Sequence, residues 1–184
     1  MAHRWIVTAL GKDRPGIVAG VTKVLYDLGC NLEDSAMTRL EGEFTIMLIF
    51  SHPATVTPER LRRAFGPIER QGLVIHLKAL TGQEARAPRK KGPLYLISVY
   101  GADRPGIVFR VSDMLAKAKV NIADVHTHRG ILTRGRREPS LYLLLLEVEL
   151  PQGRAVSWLE PRLKRTAKRL GVEASLRPSE PEIL

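Results

Sequence analysis

The chain has 184 residues, of which 44% are hydrophobic and 26% charged, a composition typical of globular proteins. The longest aliphatic run, residues 143–146, is far shorter than the ~20 residues that cross a bilayer, and no apolar leader follows the first Met, so we expect a cytoplasmic protein without a membrane segment. The net charge is +10, and the lone Cys30 permits no internal disulfide, which fits a reducing compartment and provides no cysteine cluster for a metal ion.

Residues 1–80 predict a first domain with the element order βαββαβ. Strands are predicted at residues 4–10, 32–40, 44–50 and 73–80, with a tight turn at Glu41 and Gly42. Apolar residues recur at helical spacing from residue 17 to 28, and Gly29 is placed to end that helix. A second helix is predicted to begin at Pro58 and to have Leu61, Phe65 and Ile68 on its inner side.

Residues 94–184 predict a second domain with the same order of elements. Its strands are predicted at 94–100, 121–129, 141–150 and 172–176, and its helices at 105–119 and 154–170. Residues 81–93 between the domains are rich in Arg, Lys and Pro and predict a solvated basic linker. Residues 130–139 lengthen the hairpin of the second domain by seven residues, and the sequence does not show what this basic segment does.

The hexapeptide Asp-Arg-Pro-Gly-Ile-Val occurs at residues 13–18 and again at 103–108, a period of 90 residues. The flanking residues also match in register: Gly11 with Gly101, Val21 with Val111, Leu25 with Leu115, Asn31 with Asn121, Asp34 with Asp124, and Arg39 with Arg129. Such agreement over a strand, a helix and the next strand indicates duplication of a domain. We therefore predict an α+β protein of two tandem ferredoxin-like domains, each a four-stranded antiparallel sheet with two helices on one face.

The repeated hexapeptide predicts a turn that can hold a small anion. We expect Pro15 and Pro105 to be the first helical residues, and the following glycine to let a ligand approach the backbone. The free amides of the first helical turn suit a carboxylate or phosphate, and Asp13 or Asp103 can accept from an ammonium group. Together these groups suit an amino acid. The alternative is a stiff turn whose aspartate caps the helix.

The segments 11–18 and 29–35 resemble the signature of ACT domains, small regulatory modules of amino-acid metabolism. Residues 6–50 most resemble the glycine cleavage system transcriptional repressor family, which has tandem ACT domains. The resemblance implies that amino acids bind where the first-strand-to-helix turn of one domain meets the second strand of its neighbour. The ligand-binding residues that it implies are Asp13, Arg14, Pro15, Gly16, Ile17 and Asn31, and in the second repeat Asp103, Arg104, Pro105, Gly106, Ile107 and Asn121.

Two features depart from the pattern of amino-acid-binding ACT domains. Gly11 and Gly101 stand where some members have a histidine, so that contact is absent. The aspartates at 13 and 103 would repel a ligand carboxylate, and they can help only by facing the ammonium end of the ligand. For Asn31 and Asn121 the alternative role is that of turn residues in the left-handed conformation.

The resemblance implies a non-catalytic regulator that senses glycine or another amino acid, needs no cofactor, forms a homodimer through its ACT domains and acts on a protein partner, either a transcriptional activator or an enzyme. One alternative is a regulatory or accessory subunit of a metabolic enzyme. Another is a basic nucleic-acid-binding protein, but no helix-turn-helix or zinc-finger pattern is present and aromatic residues make up 5% of the chain. The basic second half fits an acidic protein partner or solubility better than direct DNA binding.

Catalytic and metal-site patterns are weak. The sequence has no nucleophile elbow, no P-loop and no dinucleotide fingerprint. His126 and His128 lie two apart on a predicted strand with Asp124 on the same side, which is half of a metal site or an ordinary polar surface. Since no further ligand is suggested by spacing, we expect no metal.

Overall fold

The computed structural model describes residues 3–80, 92–130 and 140–179. The chain divides into two compact units, Met1–Ala87 and Pro88–Leu184, each with its own hydrophobic core. Residues 81–91, which make up most of the predicted linker, and residues 131–139 of the predicted long hairpin lie outside the described residues. Within the described residues the longest helix has 12 residues, and none is long and apolar enough to cross a membrane.

The first unit contains four strands and two helices in the predicted order. Its elements are β1 (His3–Lys12), α1 (Ile17–Asp27), β2 (Asn31–Leu40), β3 (Glu43–His52), α2 (Pro58–Glu69) and β4 (Val74–Ala79). The strands form one antiparallel sheet in the order β2-β3-β1-β4.

The second unit repeats this architecture. Its elements are β5 (Leu94–Ala102), α3 (Ile107–Lys117), β6 (Asn121–Gly130), β7 (Leu141–Glu149), a short 3₁₀ helix (Val156–Trp158), α4 (Glu160–Leu170) and β8 (Val172–Pro178). The sheet order is β6-β7-β5-β8, again antiparallel. The two sheets, each with two helices, confirm the predicted α+β class and the tandem ferredoxin-like domains.

The core of each unit lies between its sheet and its helices. Along β3, alternate side chains from Phe44 to Phe50 are buried, as expected for a strand with one covered side. They pack in one cluster with Leu25 of α1 and Phe65 of α2. In the second unit the matching cluster includes Leu144, Leu146 and Val148 of β7 together with Leu115 of α3 and Leu163 of α4.

The second strand of each unit is an edge strand that the helices leave uncovered. Every residue of β2 is exposed, and in β6 only Ile122 is partly covered. On the helix side of β2, Leu32 and Met37 are 44% and 55% exposed, although they pair with the buried residues Phe50 and Ile46 of β3. Each unit therefore presents apolar side chains along a strand edge, a surface suited to pairing.

Three helix starts differ from the sequence prediction. α1 and α3 begin at Ile17 and Ile107, so the prediction that Pro15 and Pro105 are the first helical residues is wrong by two positions. The reason is that the intervening Gly16 and Gly106 take the left-handed conformation, with φ of 89° and 95°. The last helix was predicted from residue 154 but begins at Glu160, because the 3₁₀ helix precedes it.

The predicted turn residues are otherwise confirmed. Gly29 follows α1 with φ of 66°, as a residue that ends a helix should. Glu41 and Gly42 join β2 to β3 with φ of 48° and 83°, the two positive values of a type I′ hairpin turn.

Gly11 and Gly101 lie where side-chain and backbone atoms of neighbouring residues leave no room for a side chain. A Cβ added at Gly101 would lie 2.7 Å from Cγ1, 3.0 Å from Cβ and 3.1 Å from Cα of Val172. At Gly11 the added atom would lie 2.6 Å from Cδ2 of Leu73 and 3.0 Å from the Gly72 carbonyl oxygen. Glycine at these positions therefore allows the end of each first strand to pack closely against residues at, or just before, the start of the fourth strand.

We expect Gly101→Ala to lower the free energy of unfolding by about 1–3 kcal/mol, because the new methyl group must push β8 away from β5. The matched control is Gly130→Ala at the end of β6, where the nearest atom of the described residues to an added Cβ lies at 3.9 Å, and a change of less than about 0.5 kcal/mol is expected. Urea unfolding of the two variants measures both values. Equal losses in the two variants would contradict the packing argument.

Candidate ligand-binding site

The turn that follows the first strand leads into a helix without a side-chain cap. Among the described residues no side chain accepts from the first turn of α1 or α3, so the alternative in which the preceding aspartate caps the helix is wrong. The first bonds inside the helices run from the Gly20 amide to the Gly16 carbonyl, 2.8 Å, and from the Arg110 amide to the Gly106 carbonyl, 2.9 Å. The amides of residues 17–19 and 107–109 precede these bonds and have no partner inside the helix.

An ion pair joins this turn to the edge strand in both units. Arg39 Nη1 donates to Asp13 Oδ2 at 3.1 Å, and Arg129 Nη2 lies 2.7 Å from Asp103 Oδ2. The backbone fixes the aspartates as well, since the amide of Asp13 donates to Gly42 and that of Asp103 to Ser140. The sequence analysis does not include the two arginines among the site residues. They are separated by the same 90 residues as the two aspartates, and this shared period was the signal that could have identified them.

An open cleft of about 660 Å³ lies between the turn, α1 and β2 of the first unit. Four predicted residues line it: Asp13, Arg14, Gly16 and Ile17. The rest of the lining comes from α1, β2 and β3 and comprises Val18, Ala19, Thr22, Met37, Arg39 and Phe44. The cleft thus combines helix N-terminal amides, a carboxylate, a guanidinium group and apolar side chains, which is the set of groups that recognises a zwitterion with a small side chain.

Two of the predicted residues support the turn from its other side. Arg14 Nη2 donates to the backbone oxygen and to Oε1 of Gln71, each at 3.1 Å, and so ties the turn to the loop after α2. Pro15 lines a separate cavity of about 120 Å³ with Gly20 and Ile68. In the second unit Arg104 occupies the matching place, since Nη1 lies 3.3 Å from a Cβ added at Gly171.

Asn31 and Asn121 lie at the far end of the sheet from the aspartate of their own unit. Asn31 pairs with Ser51, whereas Lys12, next to Asp13, pairs with Glu43. The two pairs are eight residues apart along β3, a separation of about 26 Å. Both asparagines begin strands with negative φ, so the left-handed alternative for them is wrong.

Cys30 and His126, which the sequence analysis considered for disulfide or metal chemistry, have surroundings that point to neither. Cys30 is half-buried against the core of the first unit, and burial raises the pKa of its thiol, so the uncharged form is favoured. His126 Nε2 lies 2.9 Å from Asp124 Oδ2 on exposed β6. Within the described ranges no three His, Cys, Asp or Glu side chains come together as metal ligands.

Comparisons with known proteins agree with this fold. The chain is 32% identical over 127 residues to the glycine cleavage system transcriptional repressor of Escherichia coli, a match that covers 67% of this chain and 63% of the relative, less than two thirds of its length. The solved structure of an unknown protein from Galdieria sulphuraria superposes with a TM-score of 0.81 at 24% identity, covering 98% of this chain and 100% of that one.

The structure of a candidate glycine cleavage system transcriptional repressor superposes with a TM-score of 0.67 at 19% identity over 96% of this chain and 97% of its own. At these identities the two solved structures show the fold. The ACT domain model matches residues 3–76 and again 94–177. The chain therefore belongs to the ACT domain family and carries two of these domains in tandem.

Proposed function

We propose that this chain is a non-catalytic regulatory protein that binds an amino acid at the repeated turn and transmits its occupancy to a partner protein. The observation that carries the proposal is that an uncapped helix N-terminus stands beside an aspartate–arginine pair in both units. An exposed ion pair contributes about 0–1 kcal/mol to folding, so stability gives little reason to keep it twice.

The proposed binding mode assigns each end of the ligand to one kind of group. The ligand carboxylate accepts from the amides of residues 17–19 and from the Arg39 guanidinium, at the positive end of the α1 dipole. The ligand ammonium donates to Asp13. Because Arg39 already lies against this aspartate, it offsets the repulsion that a lone carboxylate would exert on the ligand. Asp103 and Arg129 have the same roles in the second unit.

A second ACT domain completes the site in this proposal. The cleft in the first unit is open, and a small ligand needs enclosure to be held firmly. The exposed apolar side chains of Val18, Leu32 and Met37 lie along α1 and β2, where a second copy of the chain can pair. An asparagine from the start of the partner's second strand would then reach the ligand, as the ACT resemblance implies for Asn31 and Asn121.

The regulatory step is linkage between occupancy and domain pairing. A ligand held by two domains binds the paired state more tightly than the unpaired state and so increases its population. The separate partner protein then binds this paired state and the unpaired state with different affinities. Similarity to the glycine cleavage system transcriptional repressor of Escherichia coli supports glycine or a close relative as ligand and a transcriptional regulator as partner.

Thermal unfolding in the presence of each of the twenty amino acids tests the proposal. At one hundred times its Kd, a ligand should stabilise the protein by about 2.7 kcal/mol. We expect glycine or a similarly small amino acid to raise Tm and the amide analogue of that amino acid, which lacks the carboxylate, to leave it unchanged. If none of the twenty amino acids raises Tm, the proposal is contradicted.

Substitution of the two site aspartates should weaken this response. In Asp13→Ala/Asp103→Ala the ligand ammonium loses a charge-assisted hydrogen bond, and we expect Kd to rise about tenfold or more. The matched control is Asp27→Ala/Asp113→Ala, which also removes one paired carboxylate from each unit, since Asp27 pairs with Lys23 and Asp113 with Lys117. Equal effects of the two double variants on ligand-induced stabilisation would show that the site is wrongly placed.

Alanine at the two turn glycines tests whether the ligand approaches the backbone there. A Cβ at Gly16 or Gly106 has no neighbour within 4 Å, so the cost to stability comes from the positive φ and should be about 1–2 kcal/mol at each position. Gly72 and Gly153 have φ of 92° and 76° and equally open surroundings. We expect similar destabilisation from Gly16→Ala/Gly106→Ala and Gly72→Ala/Gly153→Ala, with loss of ligand binding in the first variant and retention in the second.

A further inference from the structure

A basic groove of about 750 Å³ lies between α3 and α4 of the second unit. Its apolar lining includes Met114, Ala118 and Leu170. Its basic lining residues are Arg110 and Lys117 from α3, and Arg162, Arg165 and Arg169 from α4. The arginines of α4 are spaced by three and four residues and so share one side of the helix.

Trp158 lines the groove together with these arginines. The guanidinium carbons of Arg154 and Arg162 lie 4.7 Å and 4.3 Å from the centroid of its indole ring, within cation–π distance. Arg162 Nη1 also donates to the backbone oxygen of Trp158 at 2.9 Å. The two guanidinium groups therefore stack on the indole ring, and Trp158 holds their positive charge beside the groove.

Most of this charge is not neutralised by the residues that the structure describes. Among them the single acidic lining residue, Asp113, pairs with Lys117 at 2.8 Å. Among the described residues, Arg110, Arg165 and Arg169 form no ion pair with a carboxylate. Helix stability does not explain Arg162, because a cation in the first turn of a helix is disfavoured by the helix dipole.

The first unit shows that the ACT fold does not require this groove. By the register of the two hexapeptides, Gly20 and Asp27 stand where α3 has Arg110 and Lys117. Aligning the buried Leu61 with Leu163 places Val56 opposite Trp158 and Pro67 opposite Arg169. The same alignment places Arg60 and Arg63 opposite Arg162 and Arg165, so the groove differs from the first unit at Arg110, Lys117, Trp158 and Arg169. The cavity beside Gly20 and Ile68 has a volume of about 120 Å³. The larger, more basic groove is thus specific to the second unit among the described residues.

We propose that this groove binds an acidic, amphipathic helix of a partner protein. Apolar side chains of such a helix would pack on Met114, Ala118 and Leu170, and its carboxylates would pair with the arginines on either side. Each wall is a helix of 11 residues, about 16 Å long, which matches about three turns of a bound helix. A single-stranded nucleic acid fits less well, because Trp158 is the one aromatic lining residue among those described and stacking of successive bases needs a series.

This inference rests on the partner half of the proposed function and names the surface that the partner contacts. The test uses the full-length chain without added amino acid, so its result does not depend on the ligand site. The probe is a fluorescent, helix-forming peptide with glutamates on one side and leucine and phenylalanine on the other, followed by anisotropy at near-physiological salt. A peptide of the same composition in scrambled order and a single-stranded oligonucleotide are titrated in parallel.

We expect Arg110→Ala/Arg165→Ala/Arg169→Ala to weaken binding of the amphipathic peptide about tenfold or more, since three charge pairs are lost. The matched control, Arg60→Ala/Arg62→Ala/Arg63→Ala on α2, removes the same charge from exposed positions in the first unit and should change Kd less than about twofold. Equal effects of the two triple variants, equal binding of the scrambled peptide, or tighter binding of the oligonucleotide would each overturn the proposal.

Discussion

The ion pair between the turn aspartate and the edge-strand arginine determines the geometry of the proposed ligand-binding site. Arg39 and Arg129 connect strands that the helices leave exposed to the turns that start α1 and α3. They therefore place a cation, an anion and a row of unpaired helix amides within one small volume. Exposed ion pairs add little to folding, so the physical role of this one is to orient charge, and the proposed recognition of a zwitterion follows from that arrangement.

The duplication separates what the fold needs from what one unit adds. Both units have a glycine near the end of the first strand. A Cβ there would contact the start of the fourth strand in the second unit and the two residues before it in the first unit. Both also keep a left-handed glycine before the first helix. The surfaces of the helices diverge, and the second unit has Arg110, Trp158 and Arg169 where the first has Gly20, Val56 and Pro67. The groups of the proposed ligand site are thus repeated, whereas the proposed partner surface belongs to the second unit.

The sequence predicted the order of elements well, because strong apolar periodicity in segments such as residues 17–28 and 44–50 reflects burial against the opposite layer. It misplaced the helix starts, since Pro15 was treated as the first helical residue while the conformation of Gly16 is set by backbone freedom that no periodicity reveals. It placed Asp13, Arg14, Gly16 and Ile17 at the cleft but not Arg39, whose partner is 26 residues away in the chain. The groove on α3 and α4 was also missed, because it depends on two helices that are distant in sequence.

Amide chemical shifts of the ¹⁵N-labelled protein during a glycine titration test the central claim most directly. If the ligand carboxylate binds at the helix N-termini, the largest changes should occur at the amides of residues 17–19 and 107–109, with smaller ones at the arginine side chains of Arg39 and Arg129. In Asp13→Ala/Asp103→Ala the same changes should require about tenfold more glycine or higher still. Saturable changes confined to other surfaces, or no change at concentrations that stabilise the protein, would contradict the account.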